Sequence, residues 1–131
     1  MNVPLLCIGL LGLLVVGLGF LISLRRGSSE VLIGTPDEPS HPLHKLVRAH
    51  GNATEYCAML AVLIYVLGAR DPGAITLAIM VGAVAARYLH AAGMLLSPTL
   101  AQVQPLRLLG ALGTYVFGGI LVAQTLWLAF F

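Results

Sequence analysis

Between Val3 and Leu24 the chain runs for 22 residues without a charge. Crossing the hydrocarbon core of a bilayer takes about 20 apolar residues of helix, so this run is long enough to span. Three further stretches have the same character. One covers about 43–69 and ends at Arg70-Asp71-Pro72-Gly73, a tight turn; the next covers 74–96 and stops at Ser97-Pro98; the last covers 106–131. Proline and glycine at these junctions end helices and open turns. The composition explains why the runs cannot be packed inside a soluble fold. Of 131 residues, 59% are hydrophobic and 9% charged, whereas a soluble domain carries about a quarter charged residues. A small domain has too much surface to keep wet with so little charge, so its solvent must be lipid. No strand alternation is present. The expected fold is all-α: one domain over residues 1–131, an integral membrane four-helix bundle of up-down-up-down topology with helices at about 3–24, 43–69, 74–96 and 106–131.

A cleaved leader is the competing reading of the first run. No basic stretch precedes it, it is overlong, and no small-x-small cleavage site closes it, so it reads as a retained span. The region from Arg25 to Pro42, rich in Gly, Ser, Pro and charge, reads as a loop that also holds His41. Arg25 and Arg26 lie in this first loop, Lys45 and Arg48 at its far edge and Arg107 after the third; the middle turn has only Arg70 and the termini have no basic side chain. The excess of Lys and Arg on cytoplasmic loops therefore predicts both termini outside the cytoplasm. The membrane is the inner one if the host is bacterial. Trp127, Phe130 and Phe131 read as interfacial anchors. A net charge of +2 and no basic run beyond Arg25-Arg26 exclude nucleic acid as a partner. Cys7 and Cys57 lie in apolar runs and read as two buried thiols, not a disulfide.

The second helix departs from a plain span. It reads His44-Lys45-Leu46-Val47-Arg48-Ala49-His50-Gly51-Asn52-Ala53-Thr54-Glu55-Tyr56, although each ionisable group near mid-membrane costs at least ~2.5–3.5 kcal/mol on insertion scales. At ~100° per residue, His44, Arg48, Asn52, Glu55 and Met59 share one stripe, Tyr56 flanks it and His50 points elsewhere. A rise of ~1.5 Å per residue puts Glu55 roughly 15 Å, and Arg87 on the third helix about 14 Å, from the same membrane face. Arg87 and His90 thus stand level with Asn52 and Glu55. One reading is an Arg87–Glu55 ion pair that only locks the bundle. The other starts from the surplus of Arg48, Arg87, Lys45 and Arg107 over Glu55: a cavity so charged suits an anionic ligand whose carboxylates guanidinium groups grip. His50 and His90 as haem ligands form a third, weaker reading; no metal site is expected. Small residues recur as Ala78, Gly82 and Ala86 and as Gly110, Gly113, Gly118 and Gly119, spacings that let helices approach closely within one chain or between chains.

The run Arg48-Ala49-His50-Gly51-Asn52-Ala53-Thr54-Glu55-Tyr56 resembles the R-A-x-x-N-x-x-E-Y signature of the MAPEG family, the membrane-associated proteins of eicosanoid and glutathione metabolism. Arg87-Tyr88 is similar to the R-Y pair that family carries in its third helix, and the likeness extends over the whole chain. It implies a homotrimer with glutathione as co-substrate, held between adjacent subunits and open to the cytoplasm. Arg48, Asn52, Glu55 and Tyr56 would bind glutathione, His50 would reach it from the neighbouring subunit, and Arg87 and Tyr88 would complete the pocket. The family's catalytic arginine opens the fourth helix. An ungapped comparison finds Thr99 there, so Arg107 takes the part if the loop has gained residues, with Arg87 second. A second family tyrosine is Ala92 here, and Cys57-Ala58 stands where a proline often follows the E-Y pair. The implied activity is a glutathione transferase or peroxidase acting on lipophilic electrophiles, which would approach from lipid along the Gly- and Ala-lined face of helix four. The alternative is a non-catalytic lipid- or glutathione-binding scaffold of the same fold.

Overall fold

The structure, a computed structural model, describes residues 1–28 and 31–130. It contains four helices, α1 (Val3–Gly27), α2 (Pro42–Gly68), α3 (Ala74–Leu96) and α4 (Pro105–Phe130), and no strand among the described residues. Each is long and apolar enough to cross a membrane. The end of the fourth predicted helix, with the expected anchor Phe131, lies outside the described residues.

Local chemistry sets the boundaries. The Asn2 side chain accepts a hydrogen bond from Leu5 N at 3.1 Å and Pro4 follows, so α1 starts capped, with proline where its missing N–H costs nothing. His41, expected to lie in the loop, is the N-cap of α2: its Nδ1 accepts from Leu43 N at 3.2 Å. Gln104 does the same for α4, its Oε1 accepting from Arg107 N at 2.7 Å. At its far end α1 continues past Leu24 to Gly27, so Arg25 and Arg26 form its last turn instead of starting the loop. Cations are favourable there, beside the negative end of the helix dipole. Pro98 holds Ser97 extended and ends α3.

The C-terminus of α3 is capped from another helix. Lys45 Nζ, on α2, donates to Leu95 O at 3.3 Å and Ser97 O at 2.9 Å. These carbonyls have no partner within the helix. Lys45, read from sequence as one more charge at the mouth, is thus tied up in the scaffold. Lys45→Met, which keeps the apolar stem, is expected to cost about 1.5 kcal/mol, read as a lower unfolding midpoint in detergent. An unchanged midpoint would mean water serves these carbonyls as well.

The helices pair α1 on α2 and α3 on α4 most extensively; α2 touches all three others, and α1 and α4 do not meet. Leu11, Ile64, Met80 and Leu121 are buried where the helices face one another, and Cys7 and Cys57 are free thiols within this core. The α3–α4 seam is the tightest. A Cβ added to Gly110 would lie 2.6 Å from His90 Cα, and one added to Gly93 2.7 Å from Arg107 Cα. Farther along, a Cβ on Gly82 would meet the Phe117 ring at 2.8 Å, and one on Gly113 the Ala86 side chain at 3.0 Å. Most of the small-residue pattern therefore serves packing within one chain; Ala78 alone of the first set is exposed. On helix four, where the route for lipophilic guests is expected, α3 covers Gly110 and Gly113, whereas Gly119 stands open.

The first and third connections meet at one end of the bundle through Leu100 N donating to Pro39 O at 3.0 Å. Arg26 draws the first loop back by donating to Val31 O at 3.2 Å and Gly34 O at 2.7 Å, and Gly34 supplies the left-handed residue (φ 72°) of the reversal.

Candidate functional site

Arg87 is the centre of the polar cluster, and it is only 1% exposed. Its Nη2 donates to the Asn52 side-chain oxygen at 2.6 Å and to the Asn52 carbonyl at 3.3 Å. Nη1 donates to Thr114 Oγ1 at 3.4 Å, and the Thr114 hydroxyl donates in turn to Gly110 O at 2.7 Å. The guanidinium carbon lies 5.0 Å from the centre of the Tyr56 ring, within cation–π range. Tyr56 in turn meets Tyr115 edge to face, with ring centres 6.2 Å apart and hydroxyls 3.3 Å apart. Three helices supply these groups: Asn52 and Tyr56 from α2, Arg87 from α3, Thr114 and Tyr115 from α4.

This network has a fixed polarity. Guanidinium groups only donate, so Asn52 must accept through its side-chain oxygen, which leaves its NH2 as a donor for whatever lies outside. A tyrosine pair spends one hydroxyl proton internally and offers the other. The exposed stripe beside them adds the Arg48 cation and a single acceptor, Glu55; neither makes a hydrogen bond or ion pair with a described residue. Seen from outside, the surface is a row of donors with one carboxylate.

Several expected placements are corrected. Arg87 does not pair with Glu55; depth counting had them level, but rotation about α2 turns Glu55 outward and Asn52 inward. Within the single chain the notch between Asn52, Tyr56, Arg87, His90 and Tyr115 measures about 30 Å³, room for a water and not for a ligand; the expected ligand site lies between subunits. Tyr88 faces away from this cluster and donates to Leu10 O on α1 at 2.8 Å. His50 also lies against α1, its Nε2 3.3 Å from where a Gly19 Cβ would sit, which agrees with its pointing off the stripe. His90 donates from Nδ1 to Arg107 O at 2.8 Å, on the α3–α4 side, so the two histidines proposed as haem ligands do not converge. Arg107 opens α4 as read, but its guanidinium donates to Leu100 O at 3.1 Å and Gln102 O at 2.9 Å, both in the adjoining loop.

Thr114 and Tyr115 are absent from the sequence reading. The signal was present: they form a polar pair in the apolar fourth helix. Counted from Leu106 at ~1.5 Å per residue, Thr114 lies about 12 Å deep, level with Asn52 and Arg87.

Four apolar spans around a cationic, hydrogen-bonded centre define an integral membrane bundle with a polar site at mid-depth, where ionisable groups mark function. The chain belongs to the MAPEG family, whose family model it matches over residues 4–127. No curated protein and no solved structure matches the chain.

Proposed function

We propose that this protein is a membrane-bound, glutathione-dependent transferase or peroxidase that activates the glutathione thiol for attack on lipophilic electrophiles. The observation that carries this reading is the Arg87–Asn52–Thr114 network, which turns the Asn52 amide into an outward donor beside Arg48 and the tyrosine pair. Glutathione is a complementary guest. Its carboxylates and thiolate accept, and its ammonium suits Glu55, the one acceptor of the stripe. Because the stripe faces outward and the notch behind it is small, the far wall of the site comes from a second copy. That is the homotrimer with shared sites that the family resemblance implies.

The chemistry needs a thiolate. A free thiol has a pKa of ~8.5, and cations beside it raise the ionised fraction at neutral pH. The thiol proton passes to solvent, the sulfur forms a bond to the electrophilic atom, and the leaving group departs with its electron pair. Arg107 is the candidate for holding the thiolate. It would exchange a loop carbonyl for the sulfur of a guest seated at this end of the bundle. Arg87 is better read as a residue that aims Asn52 and Tyr56 than as one that touches sulfur. With loops one and three cytoplasmic, the site opens to the cytoplasm, both termini lie on the other side, and the electrophile arrives from lipid.

The non-catalytic scaffold is the second reading, and one observation favours it: both Arg107 terminal nitrogens are already engaged. Titrating detergent-solubilised protein with glutathione, followed by thiolate absorbance, separates the two. The transferase reading expects saturable binding with a thiolate signal. Arg48→Ala would weaken binding at least ~10-fold, since a hydrogen bond to a charged group contributes about 1.5–3 kcal/mol; Arg107→Ala would bind but form no thiolate. Binding without thiolate in the wild type supports the scaffold, and no saturable binding ends both glutathione readings.

A further inference from the structure

A second cavity lies at the opposite end of the bundle. It measures about 560 Å³ and is formed by the ends of α2 and α4, the α2–α3 turn and the start of α3, within the ~300–1,000 Å³ typical of ligand sites. Leu67 on its wall is eleven residues beyond Tyr56, or about 16 Å farther along α2, so the cavity is separate from the Arg87 cluster. Its walls divide by chemistry. Leu67 and Ile120 make an apolar floor, while Arg70 and Asp71 form one rim and Gln124 and Trp127 line the rest.

Three features point to an amphiphile with two charges in its head. Arg70 and Asp71 are both exposed, and neither side chain pairs with the other or with any described residue. Asp71 is held beside Arg70 by a left-handed backbone (φ 51°), a conformation that aspartate tolerates. Inside, Gln124 Nε2 donates to Thr76 Oγ1 at 3.1 Å, but Gln124 Oε1 is buried without a partner among the described residues. The rim thus presents an unpaired cation and an unpaired anion side by side, and the wall an acceptor without a donor. Trp127, 64% exposed, is of the type that sits at headgroup level, which places this rim where lipid heads lie.

We propose that this cavity binds a zwitterionic glycerophospholipid with a primary ammonium, its phosphate on Arg70, its ammonium on Asp71 and the upper part of one acyl chain on the Leu67–Ile120 floor. A singly anionic head meets repulsion from Asp71, and a choline head has no N–H to donate.

Trp127 is the one tryptophan of the chain, so its fluorescence reports on the cavity directly. Phosphatidylethanolamine brominated near the glycerol end of its acyl chains is titrated into the full-length protein in nonionic detergent. Saturable quenching is expected, displaced by unlabelled phosphatidylethanolamine but at least five-fold less well by phosphatidylglycerol or phosphatidylcholine. Arg70→Gln and Asp71→Asn, both exposed changes that the fold tolerates, should each raise the half-saturating lipid fraction at least five-fold. Ala123→Phe, which fills the cavity, should reduce the maximal quenching. Quenching that rises without saturation and is equal in Arg70→Gln overturns the proposal, as does equal displacement by all three lipids. Absence of quenching overturns it too.

Discussion

Gly110→Ala is expected to lower stability by about 2–3 kcal/mol, although alanine is the better helix former by about 1 kcal/mol. The sign is decided by where the new methyl group lands. It meets the backbone of His90, with Cα at 2.6 Å, and a backbone cannot rotate aside as a side chain does. The α3–α4 seam must open instead. Opening it also strains the His90–Arg107 and Arg87–Thr114 hydrogen bonds, which cross the same seam. Gly93→Ala should behave alike, because its methyl would meet Arg107 Cα at 2.7 Å. Gly119→Ala is the internal control: nothing lies within 4 Å of its Cβ position, so the propensity gain stands alone and the midpoint holds or rises. Thermal unfolding of the three variants in one detergent checks the ordering. If Gly110→Ala melts with Gly119→Ala, the close approach of α3 and α4 is wrong.

Asn52→Asp separates stability from binding. Arg87 is a buried cation with no carboxylate partner among the described residues, held by neutral oxygens and an aromatic face. An aspartate at position 52 places an acceptor of opposite charge against it, so the unfolding midpoint should rise. The same change removes the outward NH2 and replaces it with negative charge. Losing a hydrogen bond to a charged acceptor costs about 1.5–3 kcal/mol, so the proposed function predicts at least ~10-fold weaker glutathione binding, with added repulsion of the guest's carboxylates. Calorimetric titration alongside a melt reads both. If stability and affinity fall together, Asn52 is only a packing residue; if affinity is unchanged, its amide does not face the ligand.

The sequence was legible wherever one-dimensional distance carried the physics. Helix length against bilayer thickness located the four spans, and rise per residue set Arg87 level with Asn52. Depth is a single coordinate, so counting was enough. Rotation about the helix axis was legible in part: the stripe from Arg48 to Glu55 was found, but which of its members turns inward was not. Asn52 and Glu55 are three residues apart and close in angle; only the position of α3 makes one of them the partner of Arg87. Lys45 and Arg107 were counted as free charge because composition records a side chain's charge and not its engagement. In the folded chain they hold the end of α3 and the loop before α4.

By itself, then, the sequence determined that the chain is a four-helix membrane protein with a polar centre on its second helix, and its nine-residue run from Arg48 to Tyr56 carried the family. Hydropathy and periodicity are properties of each segment, and they survive whatever the segments pack against. Only the tertiary structure decided that Gly82, Gly93, Gly110 and Gly113 serve the α3–α4 seam inside one chain, that Tyr88 turns from the Arg87 cluster to α1, and that Thr114 and Tyr115 join that cluster. These depend on which helix lies beside which, and at what approach. The terminal nitrogens of Arg87 find their acceptors on helices far away along the chain, while its Nε is buried without a partner among the described residues.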